Sequence, residues 1–159
     1  MDLNTTTWAS EFGECASASE ALAIIVRAFA CDTGTLHLVH ADGLLHLAAI
    51  VGNFPPPVMD AIRTIPVGKG MAGLAAERRS PVTVCNLQSD SSGDVRPGAR
   101  ATGMEGAIAI PCFGGVDGRE VVGVLGVANF APREFSPSEH LALLACGRAV
   151  AARYSSPRG

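Results

Sequence analysis

The polar segment between positions 86 and 103 holds the residues best suited to binding a small molecule. It is rich in Ser, Asp, Gly and Pro, so we predict a long loop. Loops of this length in a compact domain are usually functional or disordered. An arginine can bind a carboxylate or a phosphate through two hydrogen bonds, which favours a polar or anionic ligand. The alternative is a solvated loop over a collapsed core. The candidate side chains are Asp90, Asp94, Arg96, Arg100 and Thr102.

Three glycines, at positions 68, 70 and 73, have a spacing that can also cradle a phosphate. A Walker loop requires GxxxxGK[ST], and the residues after Lys69 do not supply that pattern. The GxGxxG pattern of dinucleotide sites should follow a strand, whereas the preceding segment has a helical pattern. We therefore interpret the glycines as a tight turn that begins a helix.

The cysteines are odd in number, widely spaced and without a CxxC pair, which argues against a disulfide framework or a metal site. We interpret them as reduced thiols of a cytoplasmic protein. Cys85 and Cys112 end predicted strands, but no cation or helix N-terminus is evident beside them to activate a thiolate. His46 and His140 lack the partners of a metal site. The five cysteines are Cys15, Cys31, Cys85, Cys112 and Cys146.

The composition limits the partners of this chain. Its 159 residues suit one domain, and its formal net charge of −3 argues against binding to nucleic acid or an anionic membrane surface. No apolar run is long enough to span a bilayer, and the first twenty residues lack the features of a signal peptide. We expect a cytoplasmic domain.

Apolar periodicity and capping signals predict an α+β chain. The Ser17–Glu20 segment has the form of a capping box, and Asp42-Gly43 separates two apolar runs as in a β-hairpin. Ser136, Pro137 and Glu139 specify the start of a last helix. We predict helices at 17–31, 58–65, from the glycine motif to about 79, and at 136–152. We predict strands at 35–40, 44–51, 81–85, 105–113 and 119–129.

Five segments in order resemble the GAF domain family: PVGKGMAG at 66–73, SPVTVC at 80–85, GAIAIP at 106–111, VVGVLGV at 121–127 and FSPSE at 135–139. The resemblance covers residues 17–154. It implies a central antiparallel sheet of five to six strands, with the N- and C-terminal helices packed on one face and a pocket on the other. It also implies an extension at 1–16, a GAF domain at 17–154 and a tail at 155–159.

Under this resemblance the loop at 86–104 borders the pocket. An apolar wall would come from Phe54, Met59, Ile62 and Met104, since ligand pockets are mostly apolar. His37 could point into the pocket as a switchable donor, although a satisfied or exposed strand histidine is the alternative. The ligand set proposed for the pocket is His37, Phe54, Met59, Ile62, Asp94, Arg96, Arg100, Thr102 and Met104.

The family binds cyclic nucleotides, bilins, haem, small organic effectors or nothing known, so the fold alone does not fix a ligand or cofactor. No cysteine here precedes a histidine, as bilin attachment usually requires, and the cyclic-nucleotide element is only partly matched around 129–140. Free-methionine-(R)-sulfoxide reductases carry a cysteine where this chain has Met71-Ala72, and further cysteines in a loop that here has none. We therefore expect no catalysis.

Three hypotheses follow from the sequence. The first is a sensor of a small polar or anionic molecule, working through a dimer or through a partner such as a histidine kinase or transcriptional regulator. The second is an interaction module without a ligand, and the third is a redox enzyme using Cys85 or Cys112. The first helix has a second apolar stripe and residues 141–152 are apolar nearly all round, so we expect a homodimer through the first and last helices.

Overall fold

A computed structural model describes residues 10–13, 15–90, 92–94, 100 and 102–155 and contains a six-stranded sheet. The strand order is β3-β2-β1-β6-β5-β4, and all neighbouring strands are antiparallel. The prediction of an α+β fold with five to six antiparallel strands is confirmed. The strands are β1 Thr33–Val39, β2 Leu45–Val51, β3 Thr64–Ile65, β4 Val82–Val84, β5 Gly106–Gly114 and β6 Glu120–Asn129.

Two helices begin where the capping signals predict. The Ser17 side chain accepts a hydrogen bond from the Glu20 amide, and Ser136 and Glu139 form a reciprocal capping box. The helix predicted at 58–65 ends earlier, at Ile62, because the next residues pair with β2 as strand β3. The helices are α1 Ala18–Ala28, α2 Pro56–Ile62, α3 Gly70–Arg78 and α4 Pro137–Tyr154. Within the described ranges, no helix combines the length and apolarity needed to cross a membrane.

Helices α1 and α4 pack together on one face of the sheet, as predicted. Their apolar side chains contact large residues of the central strands, such as Leu36, Ile110 and Leu125. Most of the apolar surface of α4 is buried against its own chain, so a second copy is not needed to cover it. Phe12, which precedes α1, is fully buried in the same core. The α4 residues buried in this way are Leu143, Cys146, Gly147, Ala149, Val150 and Ala151.

A β-bulge in β2 decides which of its side chains face the helices. Leu36 of β1 pairs with Ala49, whereas His37 pairs with Leu47, so Ala48 is the extra residue. An extra residue reverses the alternation of faces along the strand. Ala49 therefore joins the core beneath α1 and α4, and Leu45 joins the core on the opposite face.

Two glycines of β6 allow β1 to approach closely. A Cβ at Gly123 would lie 2.5 Å from the His37 carbonyl oxygen, and one at Gly126 would lie 2.9 Å from the Thr35 Oγ1. These distances are shorter than van der Waals contact, so a larger residue would force the strands apart. This close approach places Thr35 and His37 against β6, in the middle of the six-stranded sheet.

Candidate ligand-binding site

A cavity of about 430 Å³ lies on the face of the sheet opposite α1 and α4. This volume is within the range of small-molecule pockets. One side is covered by α2, through Pro57, Val58, Ala61 and Ile62. The start of α3 and the residues around the long loop form the rest of the rim, with Leu87, Thr102 and Met104 among the lining residues.

Small residues on two central strands create the floor of this cavity. Side chains alternate between the faces of a strand. On β5, the cavity face carries Ala107 and Ala109, while Ile108 and Ile110 belong to the core under the helices. On β6, Gly126 and Ala128 line the cavity. On these strands the small side chains lie on the cavity face, which leaves space there. The large side chains lie on the opposite face, where they form a dense core.

A stripe of polar side chains crosses the apolar cavity along β1. Thr33, Thr35 and His37 alternate along the strand and therefore share its cavity face. The Thr33 hydroxyl donates a hydrogen bond to the Met104 sulfur at 3.6 Å. Thr35 is half-buried, with its hydroxyl above Gly126. A ligand lying on the floor would thus meet hydrogen-bonding groups along one edge.

His37 is the most deeply buried polar group of this stripe, with 2% of its surface exposed. Its Nε2 lies 2.7 Å from the Ile62 carbonyl oxygen. Because a carbonyl only accepts hydrogen bonds, Nε2 carries the hydrogen and Nδ1 is an acceptor. Nδ1 has no hydrogen-bond partner among the described residues. Burial lowers the pKa of His37, against an opposing contribution from the Ile62 carbonyl, so the ring is neutral at pH 7.

The glycine motif at 68–73 forms the turn into α3, as predicted. Gly68 and Gly70 have φ angles of +93° and +65°, which side chains rarely adopt. A Cβ at Gly73 would lie 2.5 Å from the Pro66 carbonyl oxygen, so the turn packs tightly against the helix. Lys69, Gly70, Met71 and Ala72 line the cavity.

The structure brings five of the nine predicted ligand-binding residues to the cavity: His37, Phe54, Ile62, Thr102 and Met104. Met59 is absent from the lining, since α2 turns Val58, Ala61 and Ile62 inward and its 3.6-residue period places Met59 elsewhere. Arg96 lies outside the described residues. That these side chains bind a ligand stays a prediction.

Asp94 and Arg100 do not line the cavity either, because each is bound elsewhere. Asp94 accepts two hydrogen bonds from Arg78, at 2.9 and 3.1 Å, and this ion pair lowers the pKa of the Asp94 carboxyl. Arg100 donates to the Asp90 carbonyl at 2.9 Å. Asp94 and Arg100 are thus engaged in contacts of the loop with α3 and with itself.

Sequence reasoning missed Thr33, Thr35 and Lys69. The first two could have been found from polar residues at every second position of an otherwise apolar strand. Lys69 was considered only as part of a Walker loop. Its position depends on the path of the turn, which the sequence pattern alone does not give.

Of the cysteines considered for redox chemistry, Cys112 is fully buried beneath α4, where Gly147 packs against its sulfur. Burial raises the pKa of Cys112 to about 12, so this thiol stays protonated at neutral pH. Cys85 is exposed and follows β4. Neither cysteine lines the cavity.

Solved structures with this fold include free methionine-R-sulfoxide reductases and GAF domains of other proteins. A free methionine-R-sulfoxide reductase from Neisseria meningitidis, in complex with its substrate, superposes with a TM-score of 0.72 at 20% identity, over 94% of this chain and 85% of that one. The GAF domain of an Acinetobacter phosphoenolpyruvate-protein phosphotransferase gives a TM-score of 0.71 at 19% identity, over 96% and 94%. A type II reductase from Thermoplasma acidophilum gives 0.64 at 17%, over 97% and 99%.

The prediction that this chain is not a catalyst is contradicted by the reductases that share its fold. Reductases and a GAF domain taken from a phosphotransferase match its fold over most of its length, so the fold itself does not exclude catalysis. At 17–20% identity, the likeness shows the shared fold and carries no reaction to this chain.

No curated protein matches this chain. A family model described as "GAF domain" matches residues 17–145, which is most of its length. The matched region contains the six strands, the cavity and the helices around it. The chain belongs to the GAF domain family.

Proposed function

We propose that this GAF domain binds a small, largely apolar molecule in the cavity above β5 and β6. The observation that carries the proposal is the one-sided floor of Ala107, Ala109, Gly126 and Ala128. Protein interiors are otherwise close-packed, and a space of this size forfeits contacts that larger side chains would have made. A bound molecule restores those contacts, and the polar stripe on β1 orients it.

A substitution that fills the cavity with a larger side chain tests this proposal. Ala109→Ile places a strand-compatible side chain on the floor. Thr83→Ile is the matched control, because Thr83 is exposed and pairs with Ile108, whose side chain faces the helices. We expect the original protein and the Thr83 variant to retain a molecule in native mass spectrometry, or to be stabilised in a thermal-shift screen of metabolites. A ligand at a hundredfold its Kd adds about 2.7 kcal/mol to the free energy of unfolding.

The Ala109→Ile protein should fold with an unchanged or higher melting temperature and lose this response. An equal response in both variants contradicts the proposed location. The absence of any bound molecule or stabilising compound for the original protein contradicts ligand binding itself.

We further propose that occupancy is signalled through α1 and α4, to a second copy or to a partner such as a histidine kinase or transcriptional regulator. Thr33 links the two faces of the sheet in this proposal. It lines the cavity and closely follows the end of α1 in the chain, where Cys31 donates its backbone N–H to the Val26 carbonyl of α1 at 2.9 Å. A ligand that displaces β1 would therefore also move the end of α1.

A further inference from the structure

Two neighbouring groups of the polar stripe on β1 lack hydrogen-bond partners within the described part of the chain. Thr33 donates its hydroxyl hydrogen to the Met104 sulfur, whereas the Thr35 hydroxyl and Nδ1 of His37 are unpaired there. Thr35 and His37 both line the cavity. Residues two positions apart on one strand face are separated by about 7 Å, so a single ligand group can meet both side chains.

The Thr35 hydroxyl is open to the cavity because of its neighbour on β6. Thr35 lies in a central strand, between Ile50 of β2 and Gly126 of β6, so its half-buried side chain is open on the cavity face. A Cβ at Gly126 would lie 2.9 Å from the Thr35 Oγ1. The glycine therefore leaves the hydroxyl uncovered. Valine has nearly the same shape and suits an apolar strand face at least as well, so the hydroxyl adds nothing to an empty cavity.

His37 presents the second unpaired group, and its geometry fixes what that group needs. The Ile62 carbonyl holds Nε2, which leaves Nδ1 as a hydrogen-bond acceptor. Unpaired buried acceptors are rare in folded proteins. Nδ1 is shielded from bulk water, so a hydrogen bond that a ligand donates to it would meet little competition from solvent.

The charge of the lining restricts the ligand group that donates to Nδ1. A carboxylate has no hydrogen to donate. An ammonium group would lose its water in a cavity whose described lining includes Lys69 and contains no Asp or Glu. The group that meets the stripe is therefore an uncharged O–H or N–H.

We infer that Thr35 and His37 select a flat apolar ring that carries an uncharged O–H or N–H donor, such as a phenol or an N–H heteroarene. The inference rests on the proposed function. The ligand donates to Nδ1 of His37, and the Thr35 hydroxyl, which both donates and accepts, pairs with the same group or its neighbour. A ring suits the floor because Ala107, Ala109 and Ala128 leave it without large side chains.

Probe pairs of matched outline test this selection in the original protein by NMR. The pairs are indole and benzofuran, carbazole and dibenzofuran, and naphthol and fluoronaphthalene. The second member of each pair lacks the donor. We expect at least one donor to bind about tenfold more tightly than its partner and to shift the imidazole Nδ1 signal of His37.

Two variants remove the proposed contacts one at a time. Thr35→Val should lower the affinity ratio of donor to donor-free probe about threefold, with an unchanged or higher melting temperature of the empty protein. Thr83→Val is the matched control, because Thr83 is exposed and lies outside the cavity lining. His37→Gln keeps an N–H for the Ile62 carbonyl but lacks Nδ1, so the ratio should approach one. An unchanged ratio in either cavity variant overturns the inference.

The outcomes separate this inference from the proposed function. If both members of every pair bind equally and shift floor signals such as those of Ala107 and Ala109, the selection by Thr35 and His37 is overturned and the cavity function stands. If no probe shifts any signal of a cavity residue, the inference is overturned, and the metabolite screen described above decides the cavity function separately.

Discussion

At the scale of the residue, His37 combines burial with an incomplete set of hydrogen bonds. Close approach of β1 to Gly123 fixes the His37 backbone, and the Ile62 carbonyl fixes its Nε2. The nearby His46 further disfavours a second proton on the His37 ring. Contacts from β6, α2 and β2 therefore keep the His37 ring neutral, with Nδ1 as a hydrogen-bond acceptor.

The neutral burial of His37 predicts a dependence of stability on pH. The pKa of His37 is lowered from 6.5, so below about pH 6.5 the unfolded chain binds a proton that the folded chain does not. The free energy of unfolding should therefore fall as pH is lowered from about 7 to 5.5, by at most about 1.4 kcal/mol per pH unit. Chemical denaturation across this range measures the slope.

His37→Gln should flatten that slope, and the same substitution at His140 should leave it in place. The carboxyls of Asp42, Asp94 and Glu139 have lowered pKa values, so their titration lies below this pH window. A slope that is equal in the original protein and the His37 variant would show that another group is responsible.

At the scale of the element, Arg133 joins three segments that the sheet alone does not connect. Its guanidinium donates to the Phe29 carbonyl at 2.7 Å, to the Asn129 side chain at 3.1 Å and to Glu139 at 2.5 Å. It also lies over the Phe135 ring, 4.3 Å from its centre. The end of α1, the end of β6 and the start of α4 are thereby fixed to one planar group.

Arg133→Ala should lower the free energy of unfolding by about 2–3 kcal/mol, because hydrogen bonds to a charged group are lost and partly buried acceptors remain. Arg63→Ala is the control. Its exposed pair with Asp60 is at 3.5 Å and should contribute less than about 1 kcal/mol. Urea denaturation of both variants measures the difference, and an equal, small effect would show that Arg133 is not a structural link.

At the scale of the whole molecule, the sheet divides the domain into a dense face and a face with a cavity. The dense face also carries the remaining apolar surface of α4, where Leu141 is 70% exposed and Leu144 is partly buried. Exposed leucines next to a helix pair favour association with a second copy. The homodimer remains a proposal, with a narrower apolar surface than the sequence suggested.

Light scattering at micromolar concentration should give about twice the 16.3 kDa mass of the chain. Leu141→Lys should shift the protein toward monomer, because the interface would have to bury an ammonium group. Val116→Lys is the control, since Val116 is fully exposed on the turn between β5 and β6. A monomeric mass for the original protein would contradict the dimer.

The sequence by itself determined most of the elements and their order. The signals at Ser136, Asp42-Gly43 and the glycine motif act through neighbours a few residues away, so a local pattern is enough to read them. The small residues that form the floor of the cavity can also be read from the alternating pattern of β5 and β6. The short strand β3 was not predicted, because its pairing with β2 has no local signal in the sequence.

Only the tertiary structure decided which polar groups meet. Thr33 contacts Met104 across 71 positions of sequence, and Arg78 binds Asp94 across 16, which removes Asp94 from the cavity. Polar side chains of a loop have many partners within reach, and the partner chosen depends on geometry that the whole fold imposes. Among the described residues of the loop at 86–103, Thr102 therefore lines the cavity, whereas Asp94 and Arg100 do not. The polar stripe of β1 and the start of α3 define the cavity because sheet and helix packing bring them together.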